Sequence, residues 1–282
     1  MRRDKRHHRR LRFILITTLL LPFQAIKSNG ASLAFDSAAD TAYDSGWANG
    51  SNGGYGWGSA WQIANGAGYT FIAGSTTNGG ADIDTAGRSW GQSTELPPRS
   101  NGGAAATRQF SGELSIGQSF IINFSNGIVT NAPSVIPGAS ISLSGQFGAA
   151  FTFFVNSLSN SGGYGIEDGL GGNGGFGLSL PLTQGLHLVF TLTSVTNYTF
   201  SVYDVGSSAL LLTTNGFVGF PYIQSITNSI SEVTLETVNG GLDPADWNFF
   251  NNMAIVPEPS ALLLVGLALP FALLLRRASA CT

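Results

Sequence analysis

Gly87-Arg88-Ser89-Trp90-Gly91 sets a serine between two glycines at the spacing of a nucleophile elbow, and Asp168 and His187 follow in the chain order of a hydrolytic triad. Such a serine needs a strand-to-helix turn in a parallel sheet, whereas its surroundings here read as extended on both sides. The pentapeptide is therefore read as a glycine-flanked strand carrying a packed Trp90. Gly169, Gly171 and Gly174 have dinucleotide-loop spacing, but residues 176–180 continue as strand, so no helix N-terminus follows to take a pyrophosphate. Hydrolysis of a glycoside with retention requires two carboxylates about 5 Å apart. Glu167 and Asp168 are adjacent and would point to opposite faces, while Glu232 and Glu236 share a face at about 13 Å. The expectation is a protein with no catalytic residues.

Two binding chemistries remain. Asp82 and Asp84, with Asp36, Asp40 and Asp44 near the N-terminus, offer oxygen ligands of the kind calcium takes, although neither set fits an EF-hand loop or a nonapeptide repeat. Solvated acidic turns are the first reading of both sets, and structural calcium at Asp82 and Asp84 is the one cofactor left open. Trp47 and Tyr55 lie in Gly/Asn-rich stretches and are the candidates for stacking on sugar rings. Trp57, Trp61 and Ile63 share one face at period two and are assigned to the core.

The elements that must position these residues are strands. Leu186, Leu188, Phe190 and Leu192 alternate with His187, Thr191 and Thr193, so one face is buried and His187 lies on the other. Tyr198, Phe200 and Val202 repeat the pattern, as do Phe120, Ile122 and Phe124. Val233 and Leu235 oppose Glu232 and Glu236, and Phe147, Ala149, Phe151, Phe153 and Val155 form a further inward row. Asn126-Gly127, Asn215-Gly216 and Asn239-Gly240 read as tight turns, and the Gly-rich stretches at 161–163 and 169–175 as surface loops. With no amphipathic helix between Phe35 and Val256, the pattern predicts an all-β fold, a two-sheet antiparallel β-sandwich.

Charge excludes one class of partner. Between Leu33 and Val256 three arginines, Arg88, Arg99 and Arg108, stand against fourteen acidic residues, a net charge near −11 with no lysine. Such a surface repels phosphate backbones and offers no footprint for nucleic acid. Cys281 is the only cysteine, so the domain folds without an internal disulfide and relies on burial.

The ends read as transport signals. Residues 1–12 are strongly basic, and the eleven apolar residues from Phe13 to Phe23 have the length of a secretory h-region; as a helix they rise about 16 Å, too short to span a bilayer. Residues 1–34 are expected to be a signal peptide, cut before Phe35 after Ser32-Leu33-Ala34, with Ala25 and Ala31 as alternatives. At the other end sixteen uncharged residues, Ser260 to Leu275, rise about 24 Å as a helix and stop at Arg276-Arg277, the positive side that stays in the cytoplasm. Two prolines around Glu258 keep the backbone before that run extended.

Val256-Pro257-Glu258-Pro259, the apolar run and Arg276-Arg277, in that order, resemble the PEP-CTERM sorting signal of exported bacterial proteins. The resemblance covers about 22 residues. It implies recognition of the tripeptide by an exosortase, a membrane transpeptidase, with Val256, Pro257, Glu258 and Pro259 as the processing site and Arg276 and Arg277 as the membrane stop. The expected layout is a signal peptide at 1–34, an ectodomain at 35–252 and a sorting segment with a transmembrane helix at 253–282. Within the ectodomain, Ala42-Tyr43-Asp44-Ser45-Gly46-Trp47, Gly50-Ser-Asn-Gly-Gly54 with Trp57, residues 87–91 and Asn248 to Ile255 resemble a recurrent ectodomain of PEP-CTERM proteins, which is similar to concanavalin-like jelly rolls of the laminin-G and legume-lectin type. That likeness implies a jelly roll. The functional expectation is a non-catalytic protein of the cell surface or extracellular matrix. A lectin-like module contacting extracellular polysaccharide is the first alternative and a jelly-roll glycoside hydrolase the second.

Overall fold

The computed structural model describes residues 32–95, 102–127, 138–156, 163–169, 185–219 and 229–257. The expected leader through Ala31, Arg99, Glu258, Pro259, the apolar run and Arg276-Arg277 lie outside the described residues, as does most of the two Gly-rich loops. Among the described residues no helix is long and apolar enough to cross a membrane.

The described residues form fourteen strands: β1 (Ala34–Asp36), β2 (Gln62–Asn65), β3 (Gly68–Ala73), β4 (Ser89–Thr94), β5 (Gly103–Gln109), β6 (Gln118–Ser125), β7 (Gly138–Gly145), β8 (Gly148–Asn156), β9 (Gly163–Asp168), β10 (Leu186–Leu192), β11 (Asn197–Asp204), β12 (Leu210–Phe217), β13 (Glu232–Val238) and β14 (Asn248–Pro257). They form two antiparallel sheets. One has the order β12-β11-β10-β6-β14-β4-β3, with β1 also on β14, and the other β2-β5-β13-β7-β8-β9. The result is the two-sheet antiparallel β-sandwich expected from the alternation. The strand β14 runs past residue 252, so Val256 and Pro257 are its last two residues, opposite Ser119 and Gln118 of β6.

Period-two apolar rows meet between the sheets. Phe120, Ile122, Phe124, Leu186, Leu188, Phe190, Tyr198, Phe200 and Val202 of the first sheet face Ile141, Leu143, Phe151, Phe153, Val155, Val233 and Leu235 of the second, and all are buried. Phe151 is the pivot: its ring centroid lies 4.9 Å from Phe190 and 5.0 Å from both Tyr198 and Phe200 across the interface.

Two local expectations fail. Phe147, expected in the inward row with Phe151 and Phe153, lies in the two-residue turn between β7 and β8 and is 46% exposed, and the β7–β8 register shift between Leu143 and Ser144 changes the phase of the row before Phe151. Asn215-Gly216 is no turn but lies inside β12, with Gly216 opposite Tyr198. A Cβ there would sit 2.3 Å from Asp168 Oδ2 and 2.4 Å from the Tyr198 hydroxyl, so the glycine makes room for that hydrogen bond. Asn239-Gly240 does turn the chain after β13, with Asn239 at a φ of 49°.

One polar cluster ties the layers together. Asp36 on β1 and Arg108 on β5, in opposite sheets, form an ion pair whose side chains are 0% and 1% exposed. Arg108 also donates from Nη2 to Asn52 Oδ1 at 2.7 Å and to the Gly53 carbonyl at 2.8 Å, and from Nε to the Ser59 carbonyl at 3.0 Å. Its guanidinium lies over Trp57 and Trp61, 5.1 and 5.5 Å from the ring centroids. Asp36 accepts from the Tyr43 hydroxyl, the Ser37 amide and the Trp61 indole N–H. Burial pushes the Asp36 carboxyl from 3.8 up to about 6, with the Arg108 charge, the Tyr43 hydroxyl, the Ser37 amide and Trp61 pulling the other way.

Two outcomes follow from that cluster. Arg108→Met leaves a buried carboxylate without its counter-charge and should lower stability in urea unfolding by about 3–5 kcal/mol. Because the folded-state pKa of Asp36 is raised, its contribution is full below about 4 and lost as pH rises through about 6. The stability of the wild type relative to Asp36→Asn should fall across that window and level off above it; a rise there would reverse the assignment.

Candidate functional site

The outer face of the larger sheet carries polar residues because the same alternation that buries Leu186 and Leu188 turns His187 outward. Register places Asn251 of β14 opposite Asn123 of β6, Asn123 opposite His187 of β10, and His187 opposite Tyr203 of β11, one row across four strands. His187 Nδ1 lies 2.8 Å from Asn123 Oδ1. Since that oxygen can only accept, Nδ1 donates, and in the neutral ring Nε2 is then the acceptor nitrogen. The Tyr203 ring stands 6.1 Å from the imidazole at 53°.

A groove of about 520 Å³ opens over this row, lined by Asn123, His187, Val189, Tyr203, Asp204 and the turn that follows β11. Asp204 is fixed in that turn by accepting from the Ser207 amide at 2.7 Å. The groove thus combines an amide, an imidazole, a phenol, a single carboxylate and an aliphatic patch at Val189. That is equipment for hydrogen-bonding hydroxyls and covering an apolar ring edge.

Asn251, at the buried end of the row, holds the 75–88 segment. Its Nδ2 donates to the carbonyls of Ile83 (3.1 Å) and Arg88 (2.9 Å), and its Oδ1 accepts from the Ala38 amide at 3.0 Å. Within that segment Asp84 Oδ1 accepts from the Ser75 amide and the Ser89 hydroxyl, and Asp82 Oδ1 accepts from the Asp84 amide. Asp82 and Asp84, left open as calcium ligands, share a turn and serve there as hydrogen-bond acceptors. Among the described residues no three His, Cys, Asp or Glu side chains converge as a metal site. Asp40 caps the short 3₁₀ turn at Thr41–Tyr43, and its carboxyl is held low by the Ala42 and Gly54 amides.

The aromatic pair expected to bind sugar is divided. Tyr55 is 56% exposed, but Trp47 is buried at 2% and packs edge-to-face on Trp61 at 5.3 Å. Glycine-rich flanks suggested a surface loop, whereas that loop folds back over a cluster of Trp47, Trp61, Trp90 and Tyr43. A depression of about 840 Å³ lies beside Trp47, and Arg88 in its wall is engaged by Asp44 at 2.6 Å and the Tyr43 carbonyl at 2.7 Å. Trp57 and Trp61 pack in or against the core as expected.

The triad spacing does not assemble. Ser89 bonds Asp84, His187 bonds Asn123, and Asp168 accepts from the Tyr198 hydroxyl at 2.7 Å. On the outer face of the smaller sheet, Glu167 of β9 and Glu236 of β13 line a third depression of about 350 Å³. The strands β8 and β7 separate them, so three inter-strand steps put their backbones about 14 Å apart.

No protein-family model matches the sequence, and no curated protein matches it. Solved structures with a similar fold include the Ca²⁺-bound exoplasmic/lumenal domain of VIP36 (8% identity, TM-score 0.42, 71% of this chain and 84% of that one). The lectin UEA-II complexed with galactose matches at 8% identity and TM-score 0.37 over 70% of this chain and 98% of that one. The CBM2 module of the evolved Dit of Lactobacillus casei BL23 phage J-1 matches at 14% and 0.41 over 79% and 95%. At these identities the likeness concerns the sandwich fold alone.

Asn251→Asp keeps the shape of the side chain but turns a double donor into an acceptor facing two carbonyls. Calorimetric unfolding should show a loss of about 2–3 kcal/mol; an unchanged midpoint would mean that the 75–88 segment is held elsewhere.

Proposed function

We propose that this chain is an exported, non-catalytic surface or matrix protein whose domain binds carbohydrate in the groove over β6, β10 and β11. The observation that carries the reading is the convergence of Asn123, His187, Tyr203 and Asp204 on one open groove. Sugars present hydroxyls in fixed directions and an apolar ring face. An amide, an imidazole acceptor and a carboxylate answer the hydroxyls, and Tyr203 with Val189 answers the ring.

Absence of catalysis is supported by the side chains themselves. Among the described residues the groove is lined by one carboxylate, Asp204, where glycoside hydrolysis uses two, and Ser89 is buried and engaged by Asp84. Export and processing rest on the sequence of the ends: the basic and apolar leader, Val256-Pro257-Glu258-Pro259, the apolar run and Arg276-Arg277 support handling by an exosortase and attachment to or release from the cell surface. A structural calcium ion at Asp82 and Asp84 has no support beyond their shared turn.

The test is calorimetric titration of the exported protein with neutral manno-, galacto- and gluco-oligosaccharides. At least one series should bind, and His187→Ala and Tyr203→Ala should each weaken it about tenfold, equal to about 1.4 kcal/mol. Tyr55→Ala should leave affinity unchanged. Binding that survives the double substitution, or none to any series, contradicts the proposal.

A further inference from the structure

The first strand is too well built into the sandwich to have been trimmed by leader removal. The sequence places the preferred cut between Ala34 and Phe35, yet β1 begins at Ala34, which is 1% exposed and belongs to the core. On one side Ala34 pairs with Ile255 and the Leu33 amide donates to the Ile255 carbonyl at 2.8 Å. On the other, Phe35 and Tyr55 exchange both backbone hydrogen bonds, at 3.0 and 2.9 Å.

The glycines of the 53–56 segment are shaped to residues 33–36. A Cβ at Gly56 would stand 2.1 Å from the Leu33 carbonyl oxygen and 2.7 Å from Ala34 Cα, and one at Gly54 would stand 2.0 Å from the Phe35 carbonyl oxygen. Both glycines have φ values, +77° and +69°, that side chains rarely adopt. The space a side chain at position 56 would need is taken by Leu33 and Ala34. A chain starting at Phe35 would leave the Ile255 carbonyl without its donor, empty the buried Ala34 site and place a charged amine inside the ladder, next to Asp36.

We infer that the leader is cut no later than the Ala31–Ser32 bond, so that the mature protein keeps Ser32-Leu33-Ala34 as part of its first strand. The step is hydrolysis of one peptide bond: water supplies the hydroxyl of the new carboxyl on the leader and the proton of the new amine on the mature chain. Ala31 is small, as the residue before a leader cut must be. The inference rests on the export reading and is independent of the sugar groove.

The full chain is expressed in a bacterial host with its own leader, and the exported product is sequenced from its N-terminus and weighed intact. A first residue at Ser32 or before it supports the inference; a first residue at Phe35 overturns it. An uncut leader overturns the export reading and this inference with it. Ala34→Val separates the sites by a second route, since a β-branched residue immediately before the scissile bond blocks a cut after position 34 but not one upstream. The expected product has the wild-type N-terminus and an unfolding midpoint lowered by about 5 °C through overpacking. Accumulation of uncut Ala34→Val precursor would contradict the inference.

Discussion

A buried ion pair sets the terms for this sandwich. Asp36 and Arg108 are separated by 72 positions in the chain and by the gap between two sheets, and a charge taken out of water is tolerated only when fully engaged. Arg108 meets that condition with Asp36, the Tyr43 hydroxyl, Asn52, Gly53 and Ser59 around its five donors and two tryptophan rings against its faces. The cost of the charge is thereby converted into a fixed position for the 36–61 segment. Arg88, the other described arginine, clamps the same segment through Asp44 and the Tyr43 carbonyl. Both described arginines of this acidic domain hold its N-terminal segment to the sheets.

That arrangement has a topological consequence. β1 is first in sequence but lies between β14, the last strand, and the 53–57 segment, so the sheet closes only when the two ends of the domain meet. The start of β1 and the end of β14 therefore emerge side by side at Leu33 and Ile255. A segment that continues from Pro257 leaves the sandwich beside the point where the chain enters it at Leu33, and the groove over β10 and β11 opens elsewhere on the sheet.

Most strands were legible because alternation is a local property. The rows through β6, β10, β11 and β13 appear in the sequence with the phase they have in the structure, and His187 was placed correctly on the outer face. What failed was non-local. A register shift between Leu143 and Ser144 changes the phase of the β8 row beyond the turn that holds Phe147, and Gly216 is explained by a tyrosine on the neighbouring strand rather than by a turn. Trp47 was misplaced because glycine-rich flanks signal a loop without saying whether it folds inward. Arg108 carried a usable sign: Ala104, Ala106 and Arg108 share the inward phase of β5, and an inward arginine demands a buried acid. The groove left no such sign, since Asn123, His187 and Tyr203 become neighbours only through strand register.

Native-state hydrogen exchange tests most directly whether the ion pair locks the first strand into the core. If it does, the Phe35 and Tyr55 amides, bonded to each other's carbonyls, exchange only through global unfolding, with the same opening free energy as the Ala106 amide of β5. Exchange of Phe35 and Tyr55 through a local opening, orders of magnitude faster than Ala106, would show that β1 is an appendage and contradict the account.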